Sequence, residues 1–279
     1  MYKLTVQNEK GETMELTHNP RYSVTSISGL TPVPAQISTS TMGISDGEYY
    51  NSAKLTKRNI VIQIYPAHPI DENRVNLYRY FKSKYRIRLY FKNEVRSVYI
   101  DGYVETCEGD LFAKTQMIQV SVICPNPYFI GVDNSAGIKL QNQIPLFEFP
   151  FSAPSGGVSI SEFVKEDAVF VNNGDEPSGM TFVFTFTGNV SGIKIQDKYT
   201  GNVFCVNYKF CSYDILKICT TKGEKEITLR RKGEEFNLIN YITRDSQWLQ
   251  TNIGENWFVL SGERNYTLEV TWKELYQGV

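Results

Sequence analysis

Hydrophobic and polar positions alternate with period two along most of this chain, and the places where alternation stops divide it. Leu4 and Val6 alternate with polar residues, Asn8-Glu9-Lys10-Gly11 supplies a turn, and Met14 and Leu16 alternate on the way back, so the chain opens with a predicted hairpin. Residues 22–30 read as a further strand. Arg58–Tyr65 reads as another, stopped by Pro66, whose missing N–H cannot serve a central ladder. The period then changes. Asp71 reads as an N-cap, and Leu77, Tyr78, Phe81 and Tyr85 recur at helical spacing, which predicts a helix over 72–85. Strands follow at Arg86–Phe91, Val95–Val104 and 112–123. The order of three strands, an irregular segment, a strand, a helix and three strands predicts an α+β split barrel with one packed helix.

Residues 31–53 fit none of these patterns. Thr31-Pro32-Val33-Pro34, Ile37–Gly43 and Ser45-Asp46-Gly47-Glu48-Tyr49-Tyr50-Asn51 are too polar and too punctuated by Gly and Pro for a core element, yet they carry β-formers and two adjacent tyrosines. The segment reads either as a long surface loop or as a projecting arm that finds its contacts on another subunit.

Cys124-Pro125-Asn126-Pro127-Tyr128-Phe129 punctuates the middle of the chain, directly after the strand-like run Gln119–Ile123. Two prolines around one Asn prevent a strand or regular helix from continuing, so the motif reads as the exit from one folded unit. Beyond it, turn signals at Asn172-Asn173-Gly174-Asp175, Thr187-Gly188-Asn189, Tyr199–Asn202, Lys222-Gly223-Glu224 and Gly262-Glu263-Arg264 separate short strands at Thr181–Phe186, Gly192–Gln196, Val203–Tyr208, Glu226–Leu229 and Tyr266–Trp272. That pattern predicts an all-β sandwich. The linker falls within 130–150, and the domains are expected at 1–135 and 136–279.

Composition agrees with a globular, mainly β protein: 41% hydrophobic, 21% charged, with 18 Tyr and 16 Phe. A net charge of −1 gives no global attraction to nucleic acid or an anionic membrane. No apolar run has the length to span a bilayer, and the start turns polar at Gln7–Lys10, unlike a secretory leader. The cysteines at 107, 124, 205, 211 and 219 are odd in number and lack CxxC spacing, so they read as reduced thiols from a cytoplasmic site of synthesis. The sequons at Asn189 and Asn265 then read as coincidence.

Chemistry-bearing motifs are sparse. Glycine patterns for phosphate, dinucleotide or nucleophile-elbow sites are absent. His18 and His68 both sit on predicted turns and suggest no metal site. Asp46 with Glu48, and Asp101 with Glu105, are the carboxylate pairs to weigh for a glycosidase, against the ordinary reading as solvated loop residues. His18-Asn19-Pro20-Arg21 echoes a galectin sugar motif but precedes the sandwich, and Trp257 with Glu263 and Arg264 does not complete it. Tyr78–Lys92 interleaves cations with aromatics, a nucleic-acid pattern; the simpler reading puts the rings in the core and the cations outside, where they could register against an acidic neighbouring subunit. Catalytic residues, cofactors and metals are not expected.

Several of these segments together resemble the distal tail protein family of long-tailed phages of Gram-positive bacteria. They are Asp46-Gly47-Glu48-Tyr49-Tyr50-Asn51 followed by Arg58–Ile62; Leu77–Phe81 running into Leu89-Tyr90-Phe91; and Ile100–Glu105 followed by Gln119–Phe129, with Phe147-Glu148-Phe149-Pro150-Phe151 as a local echo. The resemblance implies a structural protein of the virion tail tip that forms a homo-hexameric ring. It implies that an N-terminal domain builds the ring, that residues 31–53 are an arm embracing the neighbour, and that a galectin-like C-terminal sandwich points outward. The implied partners are the tail tube protein, the tail-associated tip protein and a receptor-binding protein, with no nucleic-acid readout and no membrane. Asp46, Gly47, Tyr49, Tyr50 and Arg58 are the expected subunit-interface residues. The rival readings are a carbohydrate-binding module using Trp248, Trp257 or exposed tyrosines, and a cell-wall hydrolase.

Overall fold

The computed structural model describes residues 2–140 except 42, 44, 45, 114 and 115, then 143–145, 161–163, and 167–279 except 264. The Phe147–Phe151 segment and Arg264 lie outside the described residues. The chain divides into two compact units, Met1–Asp133 with Leu275–Val279, and Asn134–Glu274.

Unit 1 is built from β1 (Lys3–Gln7), β2 (Thr13–Glu15), β3 (Tyr22–Ser28), β4 (Ala35–Thr41), β5 (Glu48–Leu55), β6 (Arg58–Pro66), α1 (Ile70–Tyr80), β7 (Arg86–Lys92), β8 (Ser97–Gly109), β9 (Ile118–Cys124) and the start of β10 (Phe129–Leu140). The antiparallel order β2-β1-β7-β8-β9-β6-β3 follows from one long strand. β8 pairs β7 over Ser97–Tyr103 and then β9 over Tyr103–Gly109, with a bulge between Val104 and Thr106. A bulge bends and twists its strand, which lets one strand serve two partners. Leu4, Val6, Ile60, Ile62, Ile64, Leu89, Val104, Val120 and Val122 fill a single core.

Helix α1 closes that core with Leu77, and Phe81 just past its end is also buried. The helix is shorter than the 72–85 expected from periodicity. Pro69, not Asp71, occupies the N-cap position; Asp71 lies in the first turn and pairs with Arg74 at 2.6 Å. The Phe81 N–H closes the last turn on Leu77 O, Lys84 takes a left-handed φ of 75°, and Tyr85 points to solvent beyond it. Aromatic spacing at 77, 78, 81 and 85 therefore continued past the backbone that could use it. The strand expected at 112–123 begins only at Ile118, and Phe112 is fully solvent-facing in the preceding loop.

The proline motif ends β9 but not unit 1. Past Pro127, β10 pairs β8 through Ile130↔Tyr99 and Gly131↔Val98, and Phe129 is buried edge-on against Phe91.

In unit 2, β11 (Gln143–Pro145) pairs β12 (Ser161–Phe163). Then come β13 (Ala168–Asn172), β14 (Ser178–Phe186), β15 (Val190–Asp197), β16 (Val203–Phe210), β17 (Ile215–Cys219), β18 (Glu226–Arg231), β19 (Glu234–Asn237), a 3-10 turn at Ile239–Tyr241, β20 (Gln250–Thr251), β21 (Gly254–Ser261) and β22 (Tyr266–Tyr276). One antiparallel sheet runs β19-β18-β17-β14-β22, with β20 on the end of β14; the other runs β13-β21-β15-β16. Alternation on each strand aims one face inward, so Phe182, Phe184 and Phe186 of the first sheet meet Phe258, Ile195 and Phe204 of the second in one core. This is a sandwich, as the alternating segments predict.

An ion pair locks the β16–β17 turn to β18. Arg231 donates through Nε and Nη2 to both carboxylate oxygens of Asp214, at 2.9 and 2.6 Å. Burial pushes the Asp214 carboxyl up, but Arg231 and the Cys211 N–H outweigh it and hold its pKa below the usual range. A folded-state pKa below the unfolded value near 3.9 adds stability above that value and loses it as pH falls through the folded pKa. Asp214→Asn is therefore expected to cost about 1–3 kcal/mol at neutral pH. Urea denaturation from pH 7 to pH 2 should show the gap to wild type narrowing below pH about 4.

Candidate assembly surface

Residues 31–53 form mainly a two-stranded antiparallel hairpin, β4 against β5, with nearly every described residue exposed. Cross-strand partners share a face. Ala35↔Leu55, Ile37↔Ala53, Thr39↔Tyr50 and Thr41↔Glu48 make one face; Gln36↔Lys54, Ser38↔Ser52 and Ser40↔Tyr49 make the other. A bulge between Ser38 and Thr39 leaves Asn51 without an opposite residue. The first face thus carries the apolar side chains, and the adjacent tyrosines point to opposite sides. Ile37, Tyr49 and Tyr50 are 61%, 60% and 66% exposed. Asp46 and Gly47 lie in the tip, with Gly47 at a φ of 97°. An isolated two-stranded ribbon is marginal in water, and each strand here has a row of outward backbone groups.

The hairpin is secured at its base. Gly29 turns the chain out of β3 at a φ of 85°, where a Cβ would sit 2.1 Å from Asn59 O. Gly29→Ala is expected to cost about 2–3 kcal/mol, because it combines a left-handed backbone with a backbone clash; chemical denaturation measures it.

Arg58, the first residue of β6, holds the base from inside. It is 2% exposed. Its Nε donates to Pro127 O at 2.7 Å, Nη1 to Gly29 O and to Thr31 O, and Nη2 to Gln277 O at 2.6 Å. The guanidinium lies over the Phe129 ring, 4.5 Å from its centroid. Burial pulls its pKa below the usual guanidinium range, and among the described residues no carboxylate pairs with it. One planar cation thus joins the arm base, the proline motif and the last residues of the chain. Arg58 was expected at a subunit interface beside Asp46, Gly47, Tyr49 and Tyr50. Those four are exposed on the hairpin, whereas Arg58 is buried and its donors are taken up within unit 1. The junction it holds has no sequence signature, because its partners are four carbonyls from three distant segments.

Several of the other sequence-flagged groups have partners within the fold. Asp101 is held by Arg88 at 2.7 Å and Arg86 at 2.9 Å; burial raises its pKa, and these arginines bring it below the ordinary value. Glu105 accepts from Ser121 Oγ at 2.9 Å. Within Tyr78–Lys92, Ile87, Leu89 and Phe91 point inward, and Arg88 stacks over Tyr99 at 4.3 Å. His18 and His68 sit on turns. Burial pushes the Cys107 and Cys124 thiols up to about 11 and about 12, so both are protonated at neutral pH. Trp248 packs on Phe204 with Lys225 over its ring, and Trp257 donates to Asp167 at 2.8 Å with Lys198 over its ring. Among the described residues no cluster of metal-ligating side chains forms.

Comparison with known proteins fits this picture. Residues 173–276 match the family model of the siphovirus-type tail component, C-terminal domain. Comparison with the curated proteins found no match. Among solved structures, SPP1 Dit, described as a paradigm of the hub adsorption apparatus in phages infecting Gram-positive bacteria, aligns at a TM-score of 0.68 with 11% identity, over 98% of each chain. A chain from the phage P2 baseplate in its activated conformation with calcium aligns at a TM-score of 0.56 with 11% identity, over 100% of each chain. At such identity the likeness is one of fold. The chain thus has the fold of a phage distal tail protein along nearly its whole length and, over residues 173–276, the sequence pattern of the siphovirus-type tail component family.

Proposed function

We propose that this protein is a structural hub of a phage tail tip: a distal tail protein whose copies close into a ring. The ring joins the tail tube to the tip protein and carries the receptor-binding apparatus, and the stoichiometry expected from the resemblance is six. The observation that carries the reading is the β4–β5 hairpin, a firmly based ribbon with both faces and both edges in solvent, on a chain with the distal tail fold. A ribbon of this kind gains its contacts from a second copy, through a heterologous interface that closes on itself. Asp46, Gly47, Tyr49 and Tyr50 would lie in that interface. The work is done by shape, without turnover or cofactor, in the virion tail. Light scattering of the purified chain across a concentration series tests this: a step to one defined oligomer supports it, and a monomer at every concentration refutes it.

A further inference from the structure

The last residues of the chain belong to unit 1, although all of unit 2 separates them from the rest of it. Their attachment is specific. Gln277 O accepts from Arg58, and Gly278 O accepts from Arg96 Nη1 at 2.7 Å. Val279 N donates to Leu30 O at 3.2 Å. The Arg96 guanidinium lies over Tyr276, 4.4 Å from the ring centroid. Tyr276 and Val279 pack against the unit 1 core. Arg96 is itself aimed by an Asx turn, since Asn93 Oδ1 accepts from the Val95 and Arg96 N–H groups. Gly278 passes so close to the arm base that a Cβ would stand 3.2 Å from Leu30 O and 3.4 Å from Pro32 Cδ. The segment is thus held through its main chain, one ring and the lack of one side chain.

The Val279 bond to Leu30 and the close passage of Gly278 by Leu30 and Pro32 both fall on the arm base. Arg58, which holds Gly29 and Thr31, holds Gln277 with the same guanidinium. We propose that residues 275–279 are a strap that sets the arm: the base of the β4–β5 hairpin is held in place only once this segment, which follows unit 2 in the chain, has docked on unit 1. A chain with an unfolded second unit would then carry a loosely held arm, so arm placement reports that the segment following unit 2 has docked. The consequence for assembly rests on the ring reading above; the strap itself does not.

Hydrogen exchange on unassembled protein separates the two, because it reads the arm base whether or not rings form. In a chain lacking residues 275–279, amides of the β4–β5 ladder next to the arm base, over residues 35–37 and 53–55, should exchange at least tenfold faster, with α1 and β7 unchanged. Unchanged exchange at the arm base would overturn the proposal. If the deletion loosens all of unit 1, Gly278→Val in the full-length chain decides. Faster exchange confined to the arm base supports the strap. No change, or loss of protection throughout unit 1, identifies the segment as an ordinary core strand and overturns it.

Discussion

Removing the hairpin tip and ribbon, residues 35–55, with a short Gly-Ser bridge in their place, is expected to abolish assembly and leave both units folded. The removed side chains are nearly all solvent-exposed, so their deletion takes little from either core. The thermal midpoint of the monomer should move by no more than about 3 °C, the shift that about 1 kcal/mol gives a chain of this size. The loss of assembly should be large. Burying roughly 300 Å² of apolar surface from Ile37, Tyr49, Tyr50 and Ala53 is worth about 7 kcal/mol before the cost of association. Ile37→Asp with Tyr50→Asp should give most of the same effect, since these residues share the more apolar face. Tyr49→Asp alone tests the opposite face. Sedimentation of each variant reads the result, and normal oligomers after hairpin deletion would remove the arm from the account.

Replacing Arg58 is expected to damage the fold itself. Arg58→Met keeps much of the side-chain volume but leaves the carbonyls of Gly29, Thr31, Pro127 and Gln277 without their donor. Buried acceptors left unpaired cost about 1–3 kcal/mol each, partly recovered where water can enter, so a net loss of about 3–5 kcal/mol follows. That corresponds to a fall of about 10 °C or more in the thermal midpoint. Arg58→Lys should rescue little, because a single ammonium cannot spread donors over four carbonyls as a planar guanidinium does. A lysine variant as stable as wild type would show that the fork geometry is not what holds this junction.

The readable parts of this structure share one physical origin. Alternation at Leu4 and Val6, at Arg58–Tyr65 and along Thr181–Phe186 reports strands with one face on a core, and those strands are present. The hairpin was legible as a contradiction, with β-forming residues in a stretch too polar to be buried. Asp46, Gly47, Tyr49 and Tyr50 are exposed on it. The parts that pattern could not reach depend on distant backbone. Arg58 looks like any strand-edge cation until four separate carbonyls converge on it. Tyr276-Gln277-Gly278-Val279 carries no signal of its return to unit 1, because that return is written in main-chain hydrogen bonds and in the absence of a side chain at Gly278. The proline motif was legible as an interruption, but a local signal could not reveal that β10 would resume pairing with β8 beyond it. Helix α1 ended before its aromatic spacing did, since Phe81 and Lys84 leave helical geometry while Tyr85 keeps the period.

Electron microscopy of the purified chain at high concentration shows ring closure itself. Closed rings of uniform diameter with an open centre, six-fold in class averages, are expected, and they should disappear when residues 35–55 are removed. Single particles of monomer size at every concentration, or open filaments in place of closed rings, would contradict ring closure.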